Sequence, residues 1–261
     1  MTTPALAMVT GASSGIGKSF AEALATRGSD LVLVARNRAR LDELAAELRQ
    51  RHGRDVSVLV ADLEKPDELG QVEKRLHEDA RIDLLVNNAG YGITGNFADV
   101  SVAQSQGQID CNVVALTRLA HAALTTMKPS RRGGIINVAS GAAFLPTPQI
   151  SVYCATKAYV VNFSLALHEE TRAHGVHCMV VCPGFTRTEF QSRANYDTSA
   201  MPSFVWQTAD DVVKETLAAY DRGETLLVPG FQNRMTMLMT NLIPRTMLAS
   251  LAGRLGRQPG H

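Results

Sequence analysis

Seven short apolar runs punctuate the chain, and between them lie longer stretches with apolar residues three or four apart. The runs fall at residues 4–10, 30–35, 56–61, 82–87, 135–139, 176–182 and 225–228. Runs of this length and uniformity suit strands buried on both faces. The stretches 18–27, 38–51, 102–127, 152–174 and 210–222 read as helices. In the second of them, Leu41, Leu44, Ala45 and Leu48 mark one apolar face. Pro66 opens a further helix, where a missing N–H does no harm. Strands alternating with helices predict an α/β fold. We expect one doubly wound, Rossmann-like domain over residues 1–261, with about seven parallel strands. In such sheets the site forms at the carboxyl ends of the strands. No internal repeat, low-complexity run or linker divides the chain.

Composition narrows the class. A chain of 261 residues that is 45% hydrophobic fills one sizeable core. A net charge of +1 supplies no field to recruit nucleic acid. No run reaches the ~18 apolar residues of a membrane span. The first strand begins without a basic leader, so the expected compartment is the cytoplasm. The cysteines at 111, 154, 178 and 182 show no metal-ligand spacing. They read as small buried hydrophobes in a reducing compartment. Cys154, beside Tyr153, is a candidate for thiol-reagent sensitivity.

Two segments carry candidate chemistry. The first strand runs into Thr10-Gly-Ala-Ser-Ser-Gly-Ile-Gly17 and then a helix. A glycine turn before a helix aims backbone N–H groups and a positive helix end at a phosphate. Gly11 suits the tight turn, Gly15 the approach of a pyrophosphate, and Gly17 close packing of helix on strand. The second segment holds Tyr153 and Lys157, four apart and so on one helical face. An ammonium beside a phenol favours the phenolate and is expected to lower its pKa from about 10. Such a phenol exchanges protons near neutral pH, as carbonyl–alcohol interconversion requires. Ser140, thirteen residues upstream, is placed to hold the substrate oxygen.

Together these segments resemble the short-chain dehydrogenase/reductase family, in its NADP-preferring branch of ketoacyl- and steroid-type reductases. The Gly-x3-Gly-x-Gly turn, Asn87-Asn-Ala-Gly90, the set Asn112, Ser140, Tyr153 and Lys157, and Pro183-Gly184 with Thr186 and Thr188 follow the family's order up to about residue 190. The resemblance implies catalysis by Asn112, Ser140, Tyr153 and Lys157, with Asn112 feeding a proton relay through its backbone carbonyl. It implies a dinucleotide held by Gly11, Ser13, Ser14, Gly15, Ile16 and Gly17, by Asp62 and Leu63, and by Asn88, Ala89 and Gly90. Tyr153, Lys157, Pro183, Gly184, Thr186 and Thr188 would border the nicotinamide side. Relatives associate as homodimers or homotetramers, which is the expectation here.

Cofactor preference is read at the end of the second strand. Ala35 stands where an acid would grip the ribose of NAD, and Arg36 and Arg38 follow. A guanidinium suits a 2′-phosphate, so NADP(H) is expected over NAD(H). The other reading is two solvated charges. Asp62 reads as an adenine-contacting acid or a helix N-cap. Phe144, Leu145, Phe185, Phe190, Tyr196, Met201, Phe204 and Trp206 cluster after the fifth and sixth strands. They line a lipophilic pocket, or form the small core of a lid over 185–207. From residue 231 to 261 the tail has no acidic residue and four arginines, with Pro244 splitting it into two helical pieces. It packs over the pocket or against another subunit in the favoured reading, and meets a membrane surface in the other. The expected function is hydride transfer between NADP(H) and a lipophilic carbonyl or alcohol, a small molecule. An idle dinucleotide-binding sensor or scaffold is the alternative, and an epimerase or dehydratase a third reading.

Overall fold

The computed structural model describes residues 3–194 and 202–255. Strands β1 (Leu6–Thr10), β2 (Asp30–Ala35), β3 (Val56–Val60), β4 (Ile82–Asn87), β5 (Gly133–Val138), β6 (Val176–Val181), β7 (Thr186–Arg187), β8 (Gln207–Thr208) and β9 (Leu226–Leu227) alternate with helices. These are α1 (Gly15–Thr26), α2 (Arg38–His52), α3 (Pro66–Glu78), α4 (Val102–Ile109), α5 (Leu116–Ser130), α6 (Ser151–Thr171), α7 (Phe190–Arg193), α8 (Ala209–Asp221), α9 (Phe231–Asn241) and α10 (Arg245–Leu255). Seven strands form one parallel sheet in the order β3-β2-β1-β4-β5-β6-β9. The order reverses beside β1, which opens a crevice at the carboxyl ends of β1 and β4.

The uniformly apolar strands follow from two packed faces. In β1, Ala7 and Val9 join one core with Phe20 and Leu24 of α1, Leu41 and Leu48 of α2, and Leu217 of α8. Leu6 and Met8 point the other way, to Val72 of α3, Leu119 and Met127 of α5 and Leu167 of α6. Side chains alternate by two along a strand, so a strand covered twice must be apolar throughout. Local signals set the helix ends. The Asn37 side chain caps α2 by accepting from the Arg40 N–H at 3.1 Å, and Gly53 ends that helix at φ +62°.

One expectation changes in detail. The long helix expected over 102–127 is α4 and α5 joined by a π-helical stretch, Asp110–Ala115, which contains Asn112. Pro244 does divide the tail, into α9 and α10. All four cysteines are free and buried, as their reading required. No helix among the described residues is long and apolar enough to cross a membrane.

Candidate active site

The glycine turn supplies a bare cradle. Gly11 and Gly15 have φ of +65° and +54°, and a Cβ on Gly17 would stand 2.3 Å from the Gly11 carbonyl oxygen. A Cβ on Gly15 would meet Thr188 at 3.0 Å, so the loop after β6 closes over the turn. The first turn of α1 has no acidic residue, and Ser14 makes no side-chain cap. Its N–H groups therefore remain available to an anion. A cleft of about 270 Å³ opens here between Ser13, Ser14, Gly15, Lys18, Arg40 and Glu189. Thr10 fixes the turn to β4: its hydroxyl accepts from the N–H groups of Asn88 and Ala89, each at 3.0 Å. The cradle fits a dinucleotide pyrophosphate.

The residues of the second segment come together at the carboxyl end of β5. Ser140 follows β5, where its hydroxyl accepts from the Ala142 N–H at 3.2 Å, and the Tyr153 phenol lies near enough for the serine to favour the phenolate. Lys157 is 4% exposed. Its Nζ donates to the Val138 carbonyl at 2.9 Å and lies 5.8 Å from the Tyr153 ring centre. A Cβ on Gly90 would stand 3.3 Å from that nitrogen, so a larger residue there would crowd it. The Asn112 side chain accepts from the Tyr91 N–H at 3.0 Å, and donates to the Tyr91 carbonyl at 2.9 Å and to Thr156 at 3.1 Å. The Thr156 hydroxyl in turn donates to the Tyr153 carbonyl at 2.8 Å.

The expected depression of the phenol pKa is corrected by this geometry. Burial dominates: it pushes Tyr153 up to about 12, against a smaller lowering by the neighbouring Ser140. Burial likewise pushes Lys157 down to about 8. The two groups share a face, but each is governed by desolvation rather than by the other. Cys154 is also pushed up by burial, which removes the basis for its expected reactivity.

Other candidates are placed less simply. Arg36 is exposed and reaches Glu64 at 3.7 Å and Asp62 at 4.0 Å. Arg38 opens α2, exposed to solvent. Asp62 is not a helix cap, since Lys65 holds that position in α3. Its side chain instead accepts from the Glu64 N–H at 3.2 Å. Leu63 is buried in the core. Pro183 and Gly184 close β6, and the Thr186 hydroxyl donates to the Gly184 carbonyl at 3.1 Å. Ile16 packs against the core beside the turn.

The aromatic cluster divides in two. Phe190 lies 5.4 Å from Tyr153, ring centre to ring centre, and so borders the site. Phe185 and Trp206 pair with each other at 5.7 Å, which is the lid-core reading. Tyr196 and Met201, like residues 256–261 of the tail, lie outside the described residues, as does the Phe204 side chain. Within the tail, α9 packs on the site: a Cβ on Gly184 would meet the Asn233 amide at 2.5 Å. Sequence reasoning missed Glu64, Tyr91 and Thr156. Only the glycines around Tyr91 and the polar Thr156 inside an apolar helix signalled them.

Comparison with known proteins gives the same grouping. Residues 5–199 match the family model described as short chain dehydrogenase. The chain is 34% identical over 214 residues to 17-beta-hydroxysteroid dehydrogenase type 3 of Homo sapiens, covering 81% of this chain and 66% of that protein. It is 33% identical over 208 residues to very-long-chain 3-oxoacyl-CoA reductase of Anas platyrhynchos, covering 77% of this chain and 66% of that one. The chain thus spans about two thirds of the length of these curated relatives. A short-chain dehydrogenase from Sphingobium yanoikuyae, solved in complex with NADPH, is 38% identical with a TM-score of 0.84, covering 98% of this chain and 97% of that one. With the fold, the glycine turn and the serine–tyrosine–lysine set in register, the chain belongs to the short-chain dehydrogenase family of oxidoreductases, enzymes acting on hydroxyl and carbonyl groups.

Proposed function

We propose that the chain is an NADP(H)-dependent reductase of lipophilic carbonyl compounds, working reversibly on the corresponding alcohols. One observation carries the reading: Ser140, Tyr153 and the buried Lys157 gathered at the end of β5, across from a bare phosphate cradle. When bound, the dinucleotide supplies the hydride to the carbonyl carbon. The Tyr153 hydroxyl gives its proton to the carbonyl oxygen, which becomes the alcohol oxygen. The Ser140 hydroxyl donates to the same oxygen and orients it. A substrate oxygen arriving there replaces part of the lost solvation, and positive charge at Lys157 stabilises the phenolate left behind. By resemblance, Lys157 also binds ribose hydroxyls and the Asn112 backbone joins a proton relay.

NADP(H) is supported by Arg36 and Arg38 after an acid-free strand end, and by the NADPH of a 38% identical structure. A lipophilic substrate is supported by Phe190 against Tyr153 and by the steroid and oxoacyl names of the relatives. Apolar Ile109, Val114, Tyr159 and Leu165 stay exposed on α4, the π-helical stretch and α6, which suits a homodimer or homotetramer built on those helices. An idle dinucleotide-binding protein would need no general acid, whereas Tyr153 beside Ser140 and Lys157 supplies one.

The test is NADPH oxidation against carbonyls ranging from small aldehydes to ketosteroids and ketoacyl thioesters. The larger ketones should turn over fastest. Tyr153→Phe should keep NADPH affinity and lose about 10²- to 10⁴-fold in kcat. A phenylalanine variant as fast as wild type would refute the assignment.

A further inference from the structure

We infer that Glu64 is a specificity-determining residue: its carboxylate holds Arg36 in an ion pair that a cofactor 2′-phosphate must displace. Preference for the phosphorylated dinucleotide is then set by competition between two anions for one guanidinium. The inference rests on the assignment of Arg36 to that phosphate made above.

The competition follows from which partner is able to move. Arg36 has a 65% exposed side chain, whereas Glu64 is only 28% exposed. Glu64 lies against the Tyr91 hydroxyl on its inner side: both groups come within 2.7 Å of the place a Cβ on Gly107 would take. Tyr91 is itself gripped through its backbone by Asn112. Both groups also abut α4, at Gly107. Glu64 is thus the more confined partner, and Arg36 is the one that swings to reach another anion. Asp62, at 4.0 Å from Arg36, is the more distant of the two acids and is engaged by the Glu64 N–H. Burial and the neighbouring Asp62 already raise the Glu64 carboxyl, so a third negative group nearby adds to an existing strain. A phosphate arriving beside Arg36 therefore meets both a shared donor and a like charge. An unphosphorylated ribose meets neither.

The test is calorimetric titration of the full chain with 2′,5′-ADP and with 5′-ADP, fragments that bind without chemistry. Glu64→Gln keeps the size and the hydrogen-bonding capacity of the side chain and removes its charge. It should tighten 2′,5′-ADP by about two- to five-fold, the scale of an exposed ion pair, and leave 5′-ADP unchanged. The gain should shrink as salt rises. Tyr91→Phe, which frees Glu64 to retreat, should act in the same direction, and it decides the case if the glutamine variant does not fold. A wild type that prefers 2′,5′-ADP with an unchanged or reduced ratio in both variants overturns the inference and leaves the NADP(H) reading standing. A wild type without preference whose glutamine variant acquires one overturns that reading and supports the inference. Absence of preference in every protein overturns both.

Discussion

Asn112 grips the backbone of Tyr91 from both sides, accepting from its N–H and donating to its carbonyl, as a neighbouring strand would. The clamp ties the loop after β4 to the π-helical stretch and, through Thr156, to the helix bearing Tyr153. Asn112→Ala removes these two bonds and the one to Thr156 at a site that is 1% exposed. At about 1 kcal/mol per bond, the melting temperature should fall by roughly 6–12 °C. Scanning fluorimetry checks the fall. Turnover should drop with it, because the loop beside Lys157 loses its anchor.

Lys157 gives a pH signature. Its pKa lies near 8 in the folded chain, below the ordinary lysine value of 10.5. Between those values the unfolded chain binds the extra proton, so folding stability rises with pH across that window. Below about pH 8 the charge is carried in both states and the penalty is constant. In Lys157→Met this rise should be missing. Urea midpoints of the two proteins, compared from pH 7 to pH 10.5, test the prediction; parallel curves would contradict the buried ammonium.

His177 works at the acid end. It is buried against His168 and Tyr220, with ring centres 5.2 and 5.1 Å away. Burial first, and His168 second, lowers its pKa from 6.5. The folded chain therefore resists a proton that the unfolded chain accepts, and stability is lost as pH falls below about 6.5. His177→Phe should flatten that acid limb, measured as the urea midpoint between pH 7 and pH 5.

Gly17→Ala should fail outright. Its Cβ would stand 2.3 Å from the Gly11 carbonyl oxygen and 2.5 Å from the Asn88 amide. Backbone cannot yield that far without opening the turn, so both dinucleotide binding and melting temperature should fall. Arg36→Asp acts on the same cofactor by charge alone, on an exposed side chain. Its melting temperature should stay within 2 °C, roughly the ±0.5 kcal/mol span of surface substitutions, while the ratio of KM values shifts toward NAD(H).

Phe190→Ala removes the ring beside Tyr153. Loss of apolar wall should raise KM for a bulky ketone by about ten-fold or more, with a small aldehyde little affected. Equal effects on both substrates would assign Phe190 to folding of the lid.

Much of this arrangement was legible before any coordinates, and the reason is local. The strands announce themselves because both faces of the sheet are covered, which leaves no polar alternation to confuse them. The glycine turn and the Tyr153–Lys157 pair are encoded within single turns of chain. What escaped depends on distant packing. Glu64 meets Tyr91 only because the connection between β3 and α3 and the loop after β4 converge, and nothing near either residue states it. The direction of the Tyr153 shift was misjudged for the same reason: spacing reveals the lysine, but not the depth at which both groups lie. Asparagine is a poor helix former, yet the π-turn around Asn112 goes with what its amide reaches across the fold. The aromatics after β6 divide, Phe190 against Tyr153 and Phe185 against Trp206, because their partners sit at the far end of a long connection.

The close fit of Gly184 beneath Asn233 links the end of the chain to the floor of the reaction site. Asn233 is held by the Pro229 carbonyl at 2.8 Å, and it seats the start of α9 on the segment expected to face the nicotinamide. Anything that shifts the carboxyl-terminal helices, such as a fused tag, a proteolytic nick or a neighbour grasping their outer side, therefore bears directly on Gly184.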